Sequence, residues 1–204
     1  MSVKYGLNFL EAYVGSIIKD PKIALIEIIA NSYDAGALNV YIKWPDEKGS
    51  SYEVDDDGLG LTNKQFSDRW ETLSYDRIAT QGKRVSFPVD IKDPPQRTPF
   101  GKNGKGRNAP FCFDEKYCVT SKVENEEFSY TVSRSNIEKK LFNLNKNENF
   151  SMKENKRHGL NISGLLNENY ISIDLVETLI KSKFLFDPSF NIYLNNKKID
   201  LLNL

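Results

Sequence analysis

Three polar side chains on a predicted apolar helix are the first candidates for chemistry. Glu27, Asn31 and Asp34 lie at i, i+4 and i+7 in the stretch EIIANSYDAG, and this spacing places them on one stripe of a helix. Apolar residues occupy the neighbouring stripe, so the polar stripe borders the core, where carboxylates are rare unless something pairs with them. Two interpretations stay open here: the solvated face of an amphipathic helix, or a polar ligand bound against it.

A second candidate is the glycine-containing turn DDDGLG at residues 55–60. It carries the pattern D-x-G-x-G through Asp56, Gly58 and Gly60, directly after a β-type run. Glycines let the backbone turn tightly and approach a ligand closely, and a carboxylate beside them can accept a hydrogen bond from an exocyclic amine. Because D-G turns are common, this motif alone does not identify a ligand.

A third candidate is the glycine-rich basic stretch GKNGKGRNAPF at residues 101–111. A glycine-rich turn that opens a helix presents free N–H groups to phosphates, and basic side chains add charge. It is not a P-loop, because no G-K-[ST] follows four variable residues, and it lacks the preceding strand of a dinucleotide fingerprint. The stretch contains the glycines Gly101, Gly104 and Gly106 and the basic residues Lys102, Lys105 and Arg107, with Asn103 between them.

The three motifs together resemble the GHKL ATPase superfamily, which includes gyrase B, the ninety-kilodalton heat-shock chaperones, MutL, the MORC ATPases and sensor histidine kinases. The resemblance rests on E-x-x-x-N-x-x-D-A, D-x-G-x-G and G-x-x-G-x-G, in that order and at roughly these spacings. The terminal stretch FLFDPSFNIYLNNKKIDL resembles the end of the domain in the MORC and heat-shock branch. The resemblance therefore covers nearly the whole chain.

The resemblance implies ATP and Mg²⁺ as cofactors and gives the motif residues roles. Asn31 would coordinate the Mg²⁺ that bridges the phosphates, since Mg²⁺ needs few protein ligands. Asp56 would accept a hydrogen bond from the adenine N6 amine, and Gly58 and Gly60 would lie beside the base, with Gly60 giving it room.

The remaining motif residues would lie along the nucleoside and the phosphates. Asp34, followed by Ala35, would act near the nucleoside, often through ordered water. The backbone amides of residues 101–107 would wrap the β- and γ-phosphates, and Glu27 would orient and deprotonate the attacking water.

Glu27 also discriminates between branches of the superfamily. Histidine kinases generally lack a water-activating glutamate at this position, so its presence favours the hydrolytic branches. The single histidine of the chain, His158, does not lie in a stretch that resembles a phosphoacceptor helix. We expect it at the edge of a strand.

Two features depart from the family pattern. Several hydrolytic members have a Gly-Thr on a late strand whose hydroxyl touches the adenine site, and here Leu160 stands in place of that threonine. The contact is then either lost or taken by Ser163. The chain also stops where the transducer domain of gyrase B and MutL would begin, so we expect it to be the N-terminal module of a longer protein.

The predicted fold is α+β, a two-layer α/β sandwich of the Bergerat type, with a mostly antiparallel mixed sheet covered by helices on one face. We expect one ATP-binding domain over residues 1–204, with an ATP lid at about 61–107 that closes over the nucleotide and promotes an ATP-dependent homodimer of the full-length protein. The helical patterns lie at 7–19, 21–36, 63–78 and 172–186, with a shorter one starting near 108; the strand patterns lie at 37–44, 51–57, 116–123, 127–134, 139–147 and 158–166, followed by a hairpin at 190–201.

Composition limits the environment and partners of the chain. Its 28 basic and 28 acidic residues give a net charge of zero, so a nucleic-acid partner stays open but has no support from charge. Apolar runs are too short to span a membrane, no signal-peptide pattern precedes the domain, and Cys112 and Cys118 are too few for a disulfide framework. We expect a cytoplasmic protein that does not bind membranes.

Three functions remain open from the sequence. The first is an ATPase that binds ATP, releases ADP and phosphate, and drives a larger machine in DNA handling, chaperoning or anti-phage defence. The second is a nucleotide-binding switch or sensor with little or no hydrolysis, which the missing threonine supports. The third is a protein-interaction module that binds no nucleotide.

Overall fold

An eight-stranded sheet forms one layer of the computed structural model, which describes residues 9–72, 82–101, 104–137, 140–148, 150, 157–184 and 186–200. The strand order is β5-β4-β3-β6-β2-β1-β7-β8. Neighbouring strands are antiparallel except for β1 and β7, which run parallel. The strands are β1 (Asn39–Lys43), β2 (Ser51–Asp56), β3 (Lys116–Val123), β4 (Glu126–Arg134), β5 (Phe142–Lys146), β6 (His158–Leu165), β7 (Asn191–Leu194) and β8 (Lys197–Lys198).

The helices begin and end at residues with clear local causes. Gly15 has a φ of +62° and divides the predicted first helix. The Asp20 side chain caps the next helix, which Pro21 opens, and Thr62 forms a capping box with Gln65. The elements are α1 (Phe9–Val14), a 3-10 helix (Gly15–Ile18), α2 (Pro21–Asp34), α3 (Asn63–Glu71), a second 3-10 helix (Gly106–Cys112) and α4 (Ile173–Phe184).

The core fills the space between the helices and one face of the sheet. On β1, Val40 and Ile42 are buried while Tyr41 is exposed, the alternation typical of a sheet covered on one side. Leu25 and Ile29 of α2 are fully buried against this face. The predicted α+β sandwich with a mostly antiparallel mixed sheet is confirmed.

Several predicted elements differ in detail from those observed. The described part of the predicted helix 63–78 ends at Glu71, and residues 73–81 lie outside the described part of the chain. The short helix expected near 108 is a 3-10 helix that contains Pro110. The predicted terminal hairpin turns at Asn195 and Asn196, both with positive φ, as a two-residue type I′ turn requires. Within the described residues, no helix is both long and apolar enough to cross a membrane.

Candidate nucleotide-binding site

The three sequence motifs converge on one cavity of about 590 Å³, a size usual for small-molecule sites. Gly58 is not among the lining residues, and Lys102 and Asn103 lie outside the described residues. The predicted site residues that line the cavity are Glu27, Asn31, Asp34, Ala35, Asp56, Gly60, Gly101, Gly104, Lys105, Gly106 and Arg107.

At one end of the cavity, the glycine-rich segment lies directly against the polar stripe of α2. A Cβ atom placed on Gly106 would overlap Oε2 of Glu27 and would lie 3.2 Å from Oδ1 of Asn31. With glycine at this position, the backbone lies close to both side chains without displacing either of them. Burial, and next the negative charge of Asp34, raise the pKa of the Glu27 carboxyl above its ordinary value of 4.5.

Asp34 connects α2 to the backbone of the glycine-rich segment. Its Oδ1 accepts a hydrogen bond from the Phe100 N–H at 2.6 Å, and its Oδ2 accepts one from the Gly101 N–H at 2.8 Å. The resemblance placed Asp34 near the nucleoside. Asp34 does line the cavity, and its two hydrogen bonds also attach the predicted lid to α2.

Another part of the cavity wall is formed where β2 ends at Asp56. This carboxylate is 3% exposed, and its Oδ1 accepts hydrogen bonds from the Gly58 N–H at 2.9 Å and from the Leu160 N–H at 3.2 Å. The adjacent Asp57 faces elsewhere and accepts backbone N–H groups at the start of β1. Of the two neighbouring acids, only Asp56 lines the cavity.

Gly60 and Leu160 show how the surroundings of Asp56 differ from expectation. Gly60 has a φ of +63°, and a Cβ there would overlap the Lys122 carbonyl oxygen, so the glycine is required by packing as well as by any room for a base. The backbone N–H of Leu160 contacts Asp56 where the family pattern has a threonine. The suggestion that Ser163 takes this contact is wrong, because it is not among the cavity residues and alternates to the other face of β6.

Two predicted phosphate-binding cations reach protein carbonyl groups from the cavity wall. Lys105 Nζ donates to the Tyr13 carbonyl oxygen at 2.8 Å, and Arg107 Nη2 donates to the Thr72 carbonyl oxygen at 2.6 Å. These bonds hold the glycine-rich segment against the N-terminal elements and the end of α3.

Sequence reasoning missed two further cavity-lining cations, Arg69 and Arg84. Arg69 follows Gln65 at i+4 on α3, and both line the cavity, so helical spacing offered a signal. Arg84 lies in a proline-rich stretch without periodicity, which offered none. Among the described residues, the cavity wall then carries four basic side chains against three acidic ones, a balance that favours an anionic ligand.

Arg97 anchors the loop of residues 82–101 beside the cavity. It is 2% exposed, and its Nε donates to Oδ2 of Asp187 at 3.0 Å while Nη1 donates to the carbonyl oxygens of Tyr33 and Ala37. Its guanidinium lies 4.2 Å from the Tyr33 ring centroid. The loop is thereby fixed to the end of α2, a role that no motif predicted.

The comparison with protein families agrees with this geometry. A family model described as Histidine kinase-, DNA gyrase B-, and HSP90-like ATPase matches residues 19–161, more than half of the 204-residue chain, and this span includes all three motifs. No curated protein matches the chain. The match does not separate the branches of the superfamily, so the likeness to MORC and heat-shock proteins stays a prediction. The chain belongs to the histidine kinase-, DNA gyrase B- and HSP90-like ATPases, a family whose membership indicates ATP binding.

Proposed function

We propose that the chain binds ATP with Mg²⁺ in this cavity and hydrolyses the nucleotide to ADP and phosphate. The observation that carries the proposal is the approach of the Gly106 backbone to Glu27 and Asn31, in the same cavity that Asp56 lines. One cavity is therefore lined by a candidate general base (Glu27), a candidate metal ligand (Asn31), a glycine-rich backbone that could bind phosphate, and a carboxylate that could bind the nucleobase (Asp56). This combination favours a hydrolase over a protein-interaction module.

We infer a direction for the bound nucleotide from the positions of these residues. Asp56 lies with the apolar residues Leu160 and Ile162 in the cavity wall, an environment suited to a purine whose exocyclic amine donates to the carboxylate. Glu27 and Asn31 lie beside the backbone of Gly106, so the triphosphate would extend to that end. The amides of residues 104–107 would then face the β- and γ-phosphates.

Glu27 is the proposed general base. Water held beside its carboxylate would transfer a proton to it while the oxygen attacks the γ-phosphorus, and ADP would leave from the opposite side. The raised pKa of Glu27 makes it a stronger base than an ordinary carboxylate.

The donor set fits Mg²⁺ that arrives with ATP. Among the described residues, no cluster of three His, Cys, Asp or Glu side chains could hold a metal, whereas Mg²⁺ commonly uses one or two protein oxygens together with substrate phosphates. The Asn31 amide oxygen, beside Gly106 in the cavity, is the proposed ligand. When bound, the ion would neutralise charge that develops on the phosphates.

The conformational part of the proposal concerns the lid, here taken as about residues 61–107 of a single 1–204 domain. Arg97 and Asp34 attach the loop 82–101 to α2, so we propose that this loop stays in place on α2 while other parts of the lid close over the nucleotide. Closure would favour a homodimer and drive a larger cytoplasmic machine in DNA handling, chaperoning or defence. The alternative, a switch with little hydrolysis, is supported by Leu160 standing in place of the threonine.

Replacing Asp56 by Asn tests nucleotide binding. We expect Kd for ATP to rise about 10- to 100-fold, because an amide that keeps an oxygen towards the Gly58 N–H loses the charged acceptor for the adenine amine. Isothermal titration calorimetry with Mg²⁺ measures this. Asp55→Asn is the matched control, since Asp55 is not among the cavity residues and contacts Asn161. Equal ATP affinity for Asp56→Asn and the parent would contradict the assignment of Asp56 as the acceptor of the adenine amine.

The pH dependence of hydrolysis tests the base. The pKa of Glu27 is raised by burial and by Asp34, so kcat/KM should fall as pH decreases, with a midpoint above 4.5, because the protonated carboxyl cannot accept a proton from water. Steady-state rates across about pH 4 to 8 measure this. Asp34→Asn should move the midpoint to lower pH. A profile that stays flat from pH 7 down to the ordinary carboxyl value would rule out Glu27 as the base.

A further inference from the structure

The single histidine lies in a contact that the proposed reaction does not use. His158 begins β6, and its side chain is 21% exposed. Its Nδ1 lies 2.8 Å from the carbonyl oxygen of Gly58, and its Nε2 lies 3.1 Å from Oδ1 of Asp90. Because a carbonyl oxygen can only accept, Nδ1 must carry a proton for the first contact to be a hydrogen bond.

Two residues at the start of β6 therefore hold the turn that follows β2. The His158 ring fixes the Gly58 carbonyl, and the Leu160 N–H binds Oδ1 of Asp56. The N–H of Gly58 donates to the same oxygen. Both polar groups of the Gly58 peptide backbone are thus engaged, and one of them aims the Asp56 carboxylate.

We propose that His158 is a positioning residue for the base-binding turn, acting through Gly58 on Asp56. This inference rests on the proposed function, because it assumes that Asp56 accepts a hydrogen bond from the nucleobase. A carboxylate that is already fixed in its binding orientation loses less conformational entropy when the base arrives. It also discriminates better between an amine and a carbonyl group, since it cannot turn to accommodate the wrong partner.

The other edge of the ring connects the turn to the loop 82–101. Nε2 faces Asp90, whose Oδ2 also lies 4.0 Å from Nη1 of Arg157. A neutral ring with its proton on Nδ1 keeps the bond to Gly58, whereas donation to Asp90 requires a second proton. The positioning of the base turn therefore depends on Nδ1 alone, and the Asp90 contact is a separate link to the loop.

Substitutions that mimic one ring nitrogen at a time test this inference. His158→Ala should raise Kd for ATP and for ADP by about tenfold and reduce the preference for ATP over GTP by a similar factor, with kcat at saturating ATP unchanged. His158→Asn places an amide near the Nδ1 position and should recover affinity to within about threefold of the parent. His158→Gln places its amide near the Nε2 position and should not recover ATP affinity. Asp90→Ala should change ATP affinity less than about threefold.

A spectroscopic measurement on the parent protein needs no variant. Because the chain has one histidine, a long-range ¹H–¹⁵N spectrum of protein purified with a histidine-free tag reports this ring alone. We expect the neutral ring to carry its proton on Nδ1. A ring whose only proton is on Nε2 overturns the inference, because its bare Nδ1 could not donate to the Gly58 carbonyl oxygen.

The binding results separate this inference from the proposed function. If the parent binds ATP, Asp56→Asn weakens binding and His158→Ala does not, the positioning role is wrong while the proposed function stands. Equal recovery of ATP affinity by His158→Asn and His158→Gln would also contradict the positioning role of His158. If the parent binds no ATP, the proposed function and this inference both fail.

Discussion

Replacing Glu27 by Gln is expected to lower the rate of ATP hydrolysis at least about 100-fold and to leave Kd for ATP within about threefold of the parent. The amide keeps the size and shape of the side chain beside Gly106 but cannot take a proton from water. Loss of a general base reduces the chemical step without removing contacts to the base or phosphates. Phosphate release at saturating ATP and Mg²⁺, together with an equilibrium binding titration, measures both quantities.

The control for this substitution is Glu177→Gln on α4. Glu177 pairs with Lys181 on the helix surface at 2.8 Å, is not a cavity residue, and should leave hydrolysis unchanged. A Glu27→Gln variant that keeps more than about a tenth of the parent rate would contradict the general-base role, given the usual size of such effects. If the parent binds ATP but releases no phosphate, the switch alternative is favoured over the ATPase.

Replacing Arg97 by Met is expected to lower the free energy of unfolding by about 3–5 kcal/mol. The substitution removes the donor groups that satisfy the Tyr33 and Ala37 carbonyl oxygens and leaves Asp187, whose side chain is 15% exposed, without its cation. Burial opposes ionisation of Asp187, but hydrogen bonds from Ser189 and the charge of Arg97 still hold the pKa of this carboxyl below its ordinary value. Burial also lowers the pKa of Arg97, so the expected loss comes mainly from leaving buried polar groups without their partner. Urea unfolding followed by circular dichroism measures the change.

Two further variants make the Arg97 experiment decisive. Arg157→Met is the matched control, because its side chain is 80% exposed, and it should change stability by less than about 0.5 kcal/mol. Arg97→Met combined with Asp187→Asn should be less destabilising than the sum of the two single changes, since the pair interacts directly. A loss below about 1 kcal/mol for Arg97→Met would show that the ion pair does not anchor the loop.

Local sequence signals predicted the elements that carry the site. Pro21 marked the start of α2, Thr62 marked the start of α3, and Asn195–Asn196 marked the terminal turn. Each of these signals acts through residues a few positions away, so one sequence contains the whole cause. The spacing of Glu27 and Asn31 on α2 likewise required only helical geometry.

Contacts between distant residues could not be predicted in this way. Arg97 meets Asp187, 90 positions along the chain, and lies in a loop with no periodic pattern. His158 meets Gly58, 100 positions away. The parallel pairing of β1 with β7 is also long-range. Such contacts depend on how the elements pack, and no local preference of a single residue encodes them.

The candidate site also combines features that the sequence predicted with contacts that it did not. The order of the motifs predicted that Glu27, Asn31 and Asp56 would share a ligand, and the cavity contains all three. The bonds from Asp34 to the backbone of Phe100 and Gly101 were not predicted, because they depend on the path of a loop. The family resemblance therefore indicated residues that line one cavity, and the structure added the contacts that hold its parts together.

The most direct test of the account is the structure of the Glu27→Gln variant with ATP and Mg²⁺, in which slow hydrolysis keeps the nucleotide intact. We predict the adenine amine on the Asp56 carboxylate, the metal on the Asn31 amide oxygen, and the γ-phosphate beside the backbone of residues 104–107. ATP bound outside this cavity, or bound in the opposite direction with its base next to Asn31, would contradict the account.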